Sequence, residues 1–308
     1  MMRLKLLPIV FALLLATAAF AQDEDAKAAP AKPKADIANG KYGPHERNVF
    51  DLWKPVSKKP TPLVVYIHGG GFVNGDKEKL SANLLERLLK NGIAVMAINY
   101  RLYPSVLFPE PYLDSARAIQ FARSKAADFN IDKTKIAATG SAAGGLTSLW
   151  IGFHDDLADP KSTDPVLRES TRLSSMAVFS AQTTLEPSIV GPRVGAMTLK
   201  HGFYTGKFFG MNADEMTSPK GLATIKEASP IHFLTKDDPA VWAYYSVAQK
   251  PQTNETTVSD AIHHPNFGVV LKEEMDKLKL YCKLRHKDDG KTVNDDLVAF
   301  FLTNFKGK

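Results

Sequence analysis

Several features are scarce in this 308-residue sequence, and each absence narrows what the protein can be. Cys282 is the only cysteine, so no disulfide can form within the chain. Cys282 lies in an alternating apolar run, which predicts a small core residue. Beyond the first twenty-odd residues no apolar run is long enough to cross a membrane. With 44% hydrophobic residues, the chain is long enough to be stabilised by a hydrophobic core alone.

Concentrated charge is also lacking. The formal net charge is +6, and Arg3 and Lys5 contribute two of these charges, which leaves +4 for the remainder. The lysines are scattered rather than striped, so we expect no nucleic-acid partner. His154-Asp155-Asp156 resembles a set of metal ligands, but consecutive helical residues point in different directions, and a solvated helix end explains them better. The sequence predicts no metal and no cofactor.

The N-terminus is organised differently from the rest. A positive start is followed by an apolar run from Leu6 to Phe20 and by the small-x-small motif Ala19-Phe20-Ala21. This pattern predicts a Sec-type signal peptide over residues 1–21 and export to the periplasm or beyond, with an uncleaved anchor as the alternative. Residues 22–38, rich in Ala, Lys, Pro and Asp, predict a flexible linker, and residues 39–308 the folded domain.

Apolar strand patterns alternate with helical ones through the middle of the chain. Residues 63–67 are apolar on both faces, as in a central strand of a parallel sheet, and residues 80–89 have helical spacing. Further strands are predicted over 93–99, 136–138, 174–180, 240–246 and 280–285, and further helices over 113–129, 265–278 and 293–305. Asp114 is expected at the start of its helix, where the helix dipole favours a negative charge. The alternation predicts an α/β fold with a doubly wound, mostly parallel sheet.

A triple glycine follows the first central strand, in His68-Gly69-Gly70-Gly71-Phe72. Glycines allow backbone N–H groups to converge on one point without a Cβ in the way. Such a group of donors stabilises the oxyanion of an acyl-transfer reaction, and Gly70 and Gly71 are the expected donors. A plain glycine turn is the alternative.

The segment 136–150 reads as strand, tight turn and helix, which is the shape of a nucleophile elbow. Laid on the pattern Gly-x-Ser-x-Gly, it matches at Gly140 and Gly144, but the middle position holds Ala142. The serine comes one residue earlier, at Ser141. Either Ala142 occupies the apex and no serine can attack there, or the register shifts and Ser141 occupies it between Thr139 and Ala143. The sequence favours Ala142 and leaves both registers open.

Together these motifs resemble a known family. The HGGGF segment, Tyr100-Arg101-Leu102, Phe108-Pro-Glu-Pro111 with Asp114, Asn130-Ile-Asp132 and the elbow are similar to the α/β-hydrolase fold. Within it they resemble the esterase/lipase branch with an HGGG motif, which includes hormone-sensitive-lipase-like and feruloyl-esterase-like (BD-FAE) proteins. The similarity is specific over residues 42–150 and looser beyond.

The resemblance implies site residues and a substrate class. It implies a triad of Ser141, Asp260 and His286, with Glu255 as a second acid and His263 and His264 as chemical rivals of His286. Ala143 would join Gly70 and Gly71 as an oxyanion donor. Residues 183–236, aromatic and glycine-rich, fall where relatives insert a cap, although ordinary helix packing is equally consistent. The expected ligand is a small-molecule ester or an acylated carbohydrate.

Three functional hypotheses follow from these observations. The first is an exported esterase that acts through Ser141. The second is a pseudo-hydrolase that binds such ligands without turning them over. In the third, the protein uses the cap surface to bind a protein partner, whose identity the sequence does not indicate.

Overall fold

The computed structural model describes residues 31–289 and 293–306. The predicted signal peptide, residues 1–21, lies outside this range, as do residues 22–30 of the predicted linker. The described remainder of that linker contacts the domain: the carbonyl of Pro33 accepts a hydrogen bond from the indole of Trp53 at 2.8 Å. The first strand begins at Ile37, two residues inside the predicted linker, so the linker boundary at residue 38 was wrong.

A sheet of eight strands forms the centre of the fold, in the order β1-β2-β4-β3-β5-β6-β7-β8. The pairs β1–β2 and β2–β4 are antiparallel, and the other neighbours are parallel. The strands are β1 Ile37–Lys41, β2 Val49–Trp53, β3 Thr61–Ile67, β4 Ala94–Ile98, β5 Ile131–Ser141, β6 Ser175–Phe179, β7 Ala240–Tyr245 and β8 Cys282–His286. The predicted α/β class with a mostly parallel sheet is confirmed.

Helices follow the strands and cover both faces of the sheet. They are α1 Ala82–Lys90, α2 Glu110–Ser124, α3 Ala126–Phe129, α4 Ala143–Phe153, α5 Pro187–Arg193, α6 Ala213–Thr217, α7 Pro219–Glu227, α8 Val258–Ile262, α9 Asn266–Lys277 and α10 Val293–Phe305. Within the described residues, no helix combines the length and apolarity that a membrane span requires.

Asp114 differs from its predicted role. Helix α2 begins at Glu110, so Asp114 lies in its second turn rather than at its start. Its buried carboxylate accepts hydrogen bonds from the guanidinium of Arg101, at 2.7 Å from Nη2, and from the Arg101 backbone N–H at 2.9 Å. The carboxylates of Asp114 and Glu110 raise the pKa of Arg101. Asp114 therefore anchors the loop after β4, which the helix-dipole argument missed.

Two hydrophobic clusters pack on opposite faces of the sheet, and the alternating residues of β3 explain them. Leu63, Val65 and Ile67 belong to the cluster beneath α2 and α4. Val64 and Tyr66 belong to the cluster beneath α1 and α10. Because both faces are covered, β3 has no polar face, as its sequence predicted. The predicted core residue Cys282 is buried at the edge of the first cluster, and burial raises the pKa of its thiol to about 12.

Candidate functional site

His68 begins the glycine loop and is held from several sides. Its ring is fully buried and stacks on Tyr100 with centroids 4.2 Å apart. Nδ1 donates to the Gly69 carbonyl at 2.7 Å, which leaves Nε2 as the acceptor facing Arg47 Nη2 at 3.4 Å. Burial, with Arg47 nearby, lowers the pKa of His68 to about 4. His68 is thus a neutral structural residue that anchors the loop.

Arg47 joins this anchor to its neighbours and had no signal in the sequence. Its guanidinium donates to the carbonyl of Tyr100 at 2.7 Å and to that of Gly75 at 3.0 Å. The hydroxyl of Tyr100 donates in turn to the carbonyl of His68 at 2.8 Å. The Tyr100-Arg101-Leu102 motif marked part of this network, whereas Arg47 is brought to it only by the fold.

The glycine loop uses conformations that other residues avoid. Gly70 has φ 110°, and a Cβ there would come within 2.2 Å of the Asn74 carbonyl oxygen. Gly71 has φ 60° with open space around its missing Cβ. The N–H groups of Val73 and Asn74 bond back to the Gly70 carbonyl at 3.1 and 3.2 Å. The loop is therefore a tight turn, and the N–H groups of Gly70 and Gly71 take no part in its internal hydrogen bonds.

Aromatic side chains of the segment between β6 and β7 cover the end of this loop. Phe72 is buried and stacks on Phe208 with centroids 4.6 Å apart, and Phe203 lies 5.9 Å away. The Phe108 N–H also donates to the Phe208 carbonyl at 3.0 Å. Because Phe72 directly follows Gly71, the predicted cap segment packs against the loop that would hold an oxyanion. Its role as a cap stays a prediction.

The elbow connects β5 to α4 at a point where two backbones nearly touch. A Cβ on Gly144 would lie 2.0 Å from the Ile67 carbonyl oxygen, and one on Gly140 would lie 2.5 Å from the same oxygen. Real Cβ atoms do not approach so closely, so both positions require glycine. The packing of α4 against β3 therefore accounts for the two glycines of the elbow motif without reference to catalysis.

Ala142 stands between β5 and α4, at the apex of the bend. Its φ of 48° and ψ of −118° are unusual for a residue with a side chain. The Ala142 N–H donates to the Phe179 carbonyl at 2.9 Å, and its carbonyl accepts the first bond of α4 from Leu146 at 2.8 Å. Such strain is typical of functional sites and is stabilised by the packing around it. The side chain at this strained apex is a half-buried methyl group.

Ser141 is the last residue of β5 and lies beside the glycine loop. A Cβ on Gly69 would be 3.1 Å from Ser141 Oγ and 3.5 Å from the Ala142 Cβ, so both side chains border the same loop. Ser141 is half-buried, and its hydroxyl has no hydrogen-bond partner among the residues that the structure describes. Its role as a nucleophile stays a prediction.

Three backbone N–H groups face no internal acceptor here. Across residues 31–289 and 293–306, the N–H groups of Gly70, Gly71 and Ala143 have no hydrogen-bond partner. Ala143 is the first residue of α4, where helix N–H groups lack intrahelical partners and the helix dipole favours negative charge. This set could accept a carbonyl or carboxylate oxygen, and the oxyanion roles of all three residues stay predictions.

The predicted histidine and acid are not joined. His286 ends β8, and its Nδ1 is buried without a partner in the described part of the chain. Asp289, a carboxylate in the turn after β8, accepts instead from the His286 backbone N–H at 2.9 Å and from Arg285 at 3.0 Å, and both bonds lower the pKa of Asp289. Asp260 lies exposed in α8, and no contact to His286 appears among the described residues.

The rival residues are occupied elsewhere or remain exposed. His264 is buried, with Nε2 donating to the Lys250 carbonyl at 2.8 Å and Nδ1 accepting from the Asn266 N–H at 3.1 Å, so neither nitrogen can relay a proton. His263 donates from Nδ1 to the Ser259 carbonyl at 2.8 Å, and burial lowers its pKa. Glu255 is exposed in the loop after β7. In the parts of the chain that the structure describes, no metal-binding cluster of His, Cys, Asp or Glu occurs.

Comparisons with known proteins identify a family and several relatives. A family model described as BD-FAE matches residues 50–248. Esterase LipQ of Mycobacterium tuberculosis is 28% identical over 86% of this chain and 61% of its own length. An arylesterase of Saccharolobus solfataricus is 33% identical over 39% of this chain and 40% of its own length. The chain thus spans less than two thirds of the length of each of these relatives.

A solved structure gives the same fold. It is described as a truncated form of a carbohydrate esterase from gut microbiota, and it superimposes with a TM-score of 0.68 at 21% identity. The alignment covers 91% of this chain and 100% of that chain. At this identity the likeness concerns the fold alone.

Proposed function

Because the chain belongs to the BD-FAE family of α/β-hydrolase-fold proteins, we propose that it binds small acyl esters, including acylated carbohydrates, without forming an acyl-serine at the elbow. One observation carries the proposal: the side chain at the strained apex is the methyl of Ala142. A methyl group can neither attack a carbonyl nor release a proton. The proposal also retains export through residues 1–21, as the sequence predicts.

Binding can persist without the nucleophile because the donors do not depend on it. The N–H groups of Gly70, Gly71 and Ala143 are backbone groups whose positions follow from the glycine loop and from α4. They can polarise an ester carbonyl and bind the carboxylate of its product. Oxyanion donors and binding alone accelerate hydrolysis by roughly 10³- to 10⁴-fold over water. Weak hydrolysis is therefore compatible with the proposal.

A second candidate is a working esterase that uses Ser141, and a specific observation favours it. Ser141 Oγ borders the glycine loop and has no partner among the described residues. In that scheme Ser141 Oγ attacks the ester carbonyl and passes its proton to the His286 imidazole. The imidazole protonates the leaving alcohol, and water then hydrolyses the acyl-serine. Asp260 would orient the imidazole.

Three variants separate the candidates. Hydrolysis of 4-nitrophenyl acetate is measured with the native protein, Ser141→Ala and Ala142→Ser, with Ala142→Gly as the control for changes in backbone strain. We expect little native hydrolysis, no further loss in Ser141→Ala and a gain in Ala142→Ser that Ala142→Gly lacks. The gain requires an imidazole within reach of the new hydroxyl, and its size measures how well that imidazole is placed.

Intact-mass spectrometry after treatment with an organophosphonate supplies a second readout. The native protein should gain no phosphonyl adduct, whereas an adduct at Ser141 together with turnover abolished by Ser141→Ala would overturn the proposal. Ligand binding is followed separately, by titrating the native protein with acetate. A native protein that neither binds acetate nor hydrolyses the ester would also refute an ester-binding role.

A further inference from the structure

A cavity lies away from the elbow, where three segments of the chain meet. Its volume is about 430 Å³, within the range of small-molecule sites. The walls come from the end of α5 and the turn after it, from the loop between β7 and α8, and from the junction of α8 and α9. Its lining includes no residue of the glycine loop 68–72 or of the elbow 140–145. We call it the α5–α9 cavity.

Hydrogen bonds between these segments hold its walls in place. Asn266 Nδ2 donates to the Arg193 carbonyl at 2.9 Å, which joins the start of α9 to the end of α5. Gln252 Nε2 donates to Thr198 Oγ1 at 2.8 Å, and His264 donates to the Lys250 carbonyl at 2.8 Å. The cavity is therefore a preformed feature, and its shape does not depend on one loop.

Its charge favours an anion. None of the lining residues is acidic. The lining cation Arg193 is paired with Glu273 of α9 at 2.5 Å, so its charge is partly neutralised. The ammonium of Lys250 is exposed and has no acidic partner among residues 31–289 and 293–306. Lys250 is thus the cation available to a ligand.

An exposed amide oxygen without a donor favours a hydroxyl group in addition to the anion. Gln252 Oε1 is buried in the wall and has no partner in the described structure, while Nε2 of the same amide donates to Thr198 Oγ1. Gly195 has φ 141°, and a Cβ there would lie 2.3 Å from that oxygen, so glycine lets the amide sit against the wall. Gln249 uses its Nε2 on Asn266 at 3.3 Å, and its Oε1 has no donor among the described residues. Gln249 is exposed, so its free oxygen can accept from a ligand hydroxyl, whereas the enclosed oxygen of Gln252 is out of reach.

Apolar surface completes the match to a ring. Pro192, Val194 and Pro251 also line the cavity and offer no donors of their own through their side chains. From the free ammonium, the unpaired amide oxygen of Gln249 and this apolar surface, we propose that the α5–α9 cavity binds a hydroxylated carboxylic acid of monosaccharide size, such as a uronic acid. Lys250 binds the carboxylate, and the exposed amide of Gln249 accepts from a ring hydroxyl. The proposal does not depend on the chemistry at the elbow.

Three probes separate the contributions of charge and hydroxyls. Isothermal titration calorimetry with the full chain uses three ligands. Sodium glucuronate carries a carboxylate and ring hydroxyls, glucose carries hydroxyls only, and cyclohexanecarboxylate carries a carboxylate only. We expect saturable glucuronate binding with a Kd on the order of 1 mM, and binding of each partial probe weaker by roughly threefold to tenfold. The esterase readouts at the elbow are measured on the same samples and should not change.

Matched lysine variants locate the site. Lys250→Met should weaken glucuronate binding by roughly threefold to tenfold and leave glucose binding unchanged. Lys250→Arg keeps the positive charge and should bind glucuronate as the native protein does. The control is Lys41→Met, an exposed lysine in β1 at the opposite edge of the sheet from β8. No saturable glucuronate binding, binding equal to that of glucose, or equal loss in Lys250→Met and Lys41→Met would overturn the proposal.

Discussion

Two regions at the carboxyl ends of the strands contrast sharply. The glycine-loop half comprises residues 68–72 and 140–145. A Cβ added at Gly140 or Gly144 would lie within 2.6 Å of backbone atoms, so neither position can accept a larger residue. The acid–histidine half comprises Asp260, in α8, and His286, at the end of β8. There the acid is exposed and the imidazole has no carboxylate partner among the described residues.

The contrast shows that the scaffold positions and the predicted catalytic positions are constrained by different physical requirements. Substituting Gly144 would destabilise the fold, whatever the protein does. An exposed carboxylate such as Asp260 contributes little to stability, so its loss or displacement affects only chemistry. The half-buried methyl of Ala142, where the Gly-x-Ser-x-Gly pattern has its serine, belongs with the second kind of position. An intact elbow is therefore weak support for a working nucleophile.

The largest predicted effect tests the glycine-loop half. Gly144→Ala should lower the free energy of unfolding by about 3 kcal/mol, because its Cβ would meet the Ile67 carbonyl oxygen at 2.0 Å and the His68 carbonyl oxygen at 2.6 Å. Both are backbone atoms of a central strand and its loop, so neither can rotate away. Urea denaturation followed by circular dichroism measures the change.

Gly202→Ala is the matched control for this prediction. No atom lies within 4 Å of a Cβ at Gly202, and its change in unfolding free energy should stay within about 0.5 kcal/mol. If Gly144→Ala were as stable as Gly202→Ala, the two elbow glycines would not be required by packing, and the comparison between the two halves would fail.

The next effect concerns the buried imidazole of the glycine-loop half. In the folded protein the pKa of His68 is about 4, below the ordinary 6.5, so the unfolded chain binds the proton first as pH falls. The folded state is fully stabilised by the neutral His68 above pH 6.5. This stabilisation, roughly 3 kcal/mol, is lost as the pH falls from 6.5 toward 4. Unfolding free energies of the native protein and of His68→Gln, measured from neutral to acidic pH, test this.

The native protein has to be compared with His68→Gln because a second group, Asp238, also titrates in this pH range. Burial raises the pKa of this carboxyl to about 6, so the folded state binds its proton first and gains stability as pH falls through 6. That effect opposes the one from His68 and is common to both proteins. The native protein should therefore lose more stability than His68→Gln over the same window, and parallel curves would show that His68 does not titrate as described.

The smallest effect is expected in the acid–histidine half. Asp260→Asn should change the free energy of unfolding by less than about 0.5 kcal/mol, because its side chain is exposed. In the Ala142→Ser background it should change ester hydrolysis by less than about twofold, because no contact joins Asp260 to His286. Glu255→Gln, at the other carboxylate between β7 and α9, is the control. A fall near 10⁴-fold in Asp260→Asn alone would identify Asp260 as the orienting acid.

Much of the fold could be predicted because local patterns agree with it. The double-faced apolar run of β3 and the helical spacing of α10 led to elements at their observed places. Asp114 was misplaced because the helix-dipole argument treats only its own helix, whereas Arg101 approaches from another loop. Arg47 carried no local signal, since its partners His68, Gly75 and Tyr100 are distant in the chain.

From sequence alone, the order of residues around the elbow already excluded a serine midway between Gly140 and Gly144, and the HGGGF motif already implied a loop of free N–H groups. Which residue stands at the apex was decided by tertiary structure, because the contacts of Gly140 and Gly144 with the Ile67 carbonyl and the bond from Ala142 to Phe179 set the register. The relation of Asp260 to His286 was likewise a tertiary matter. It depends on where loops between distant strands end, and local patterns of apolarity do not encode such positions.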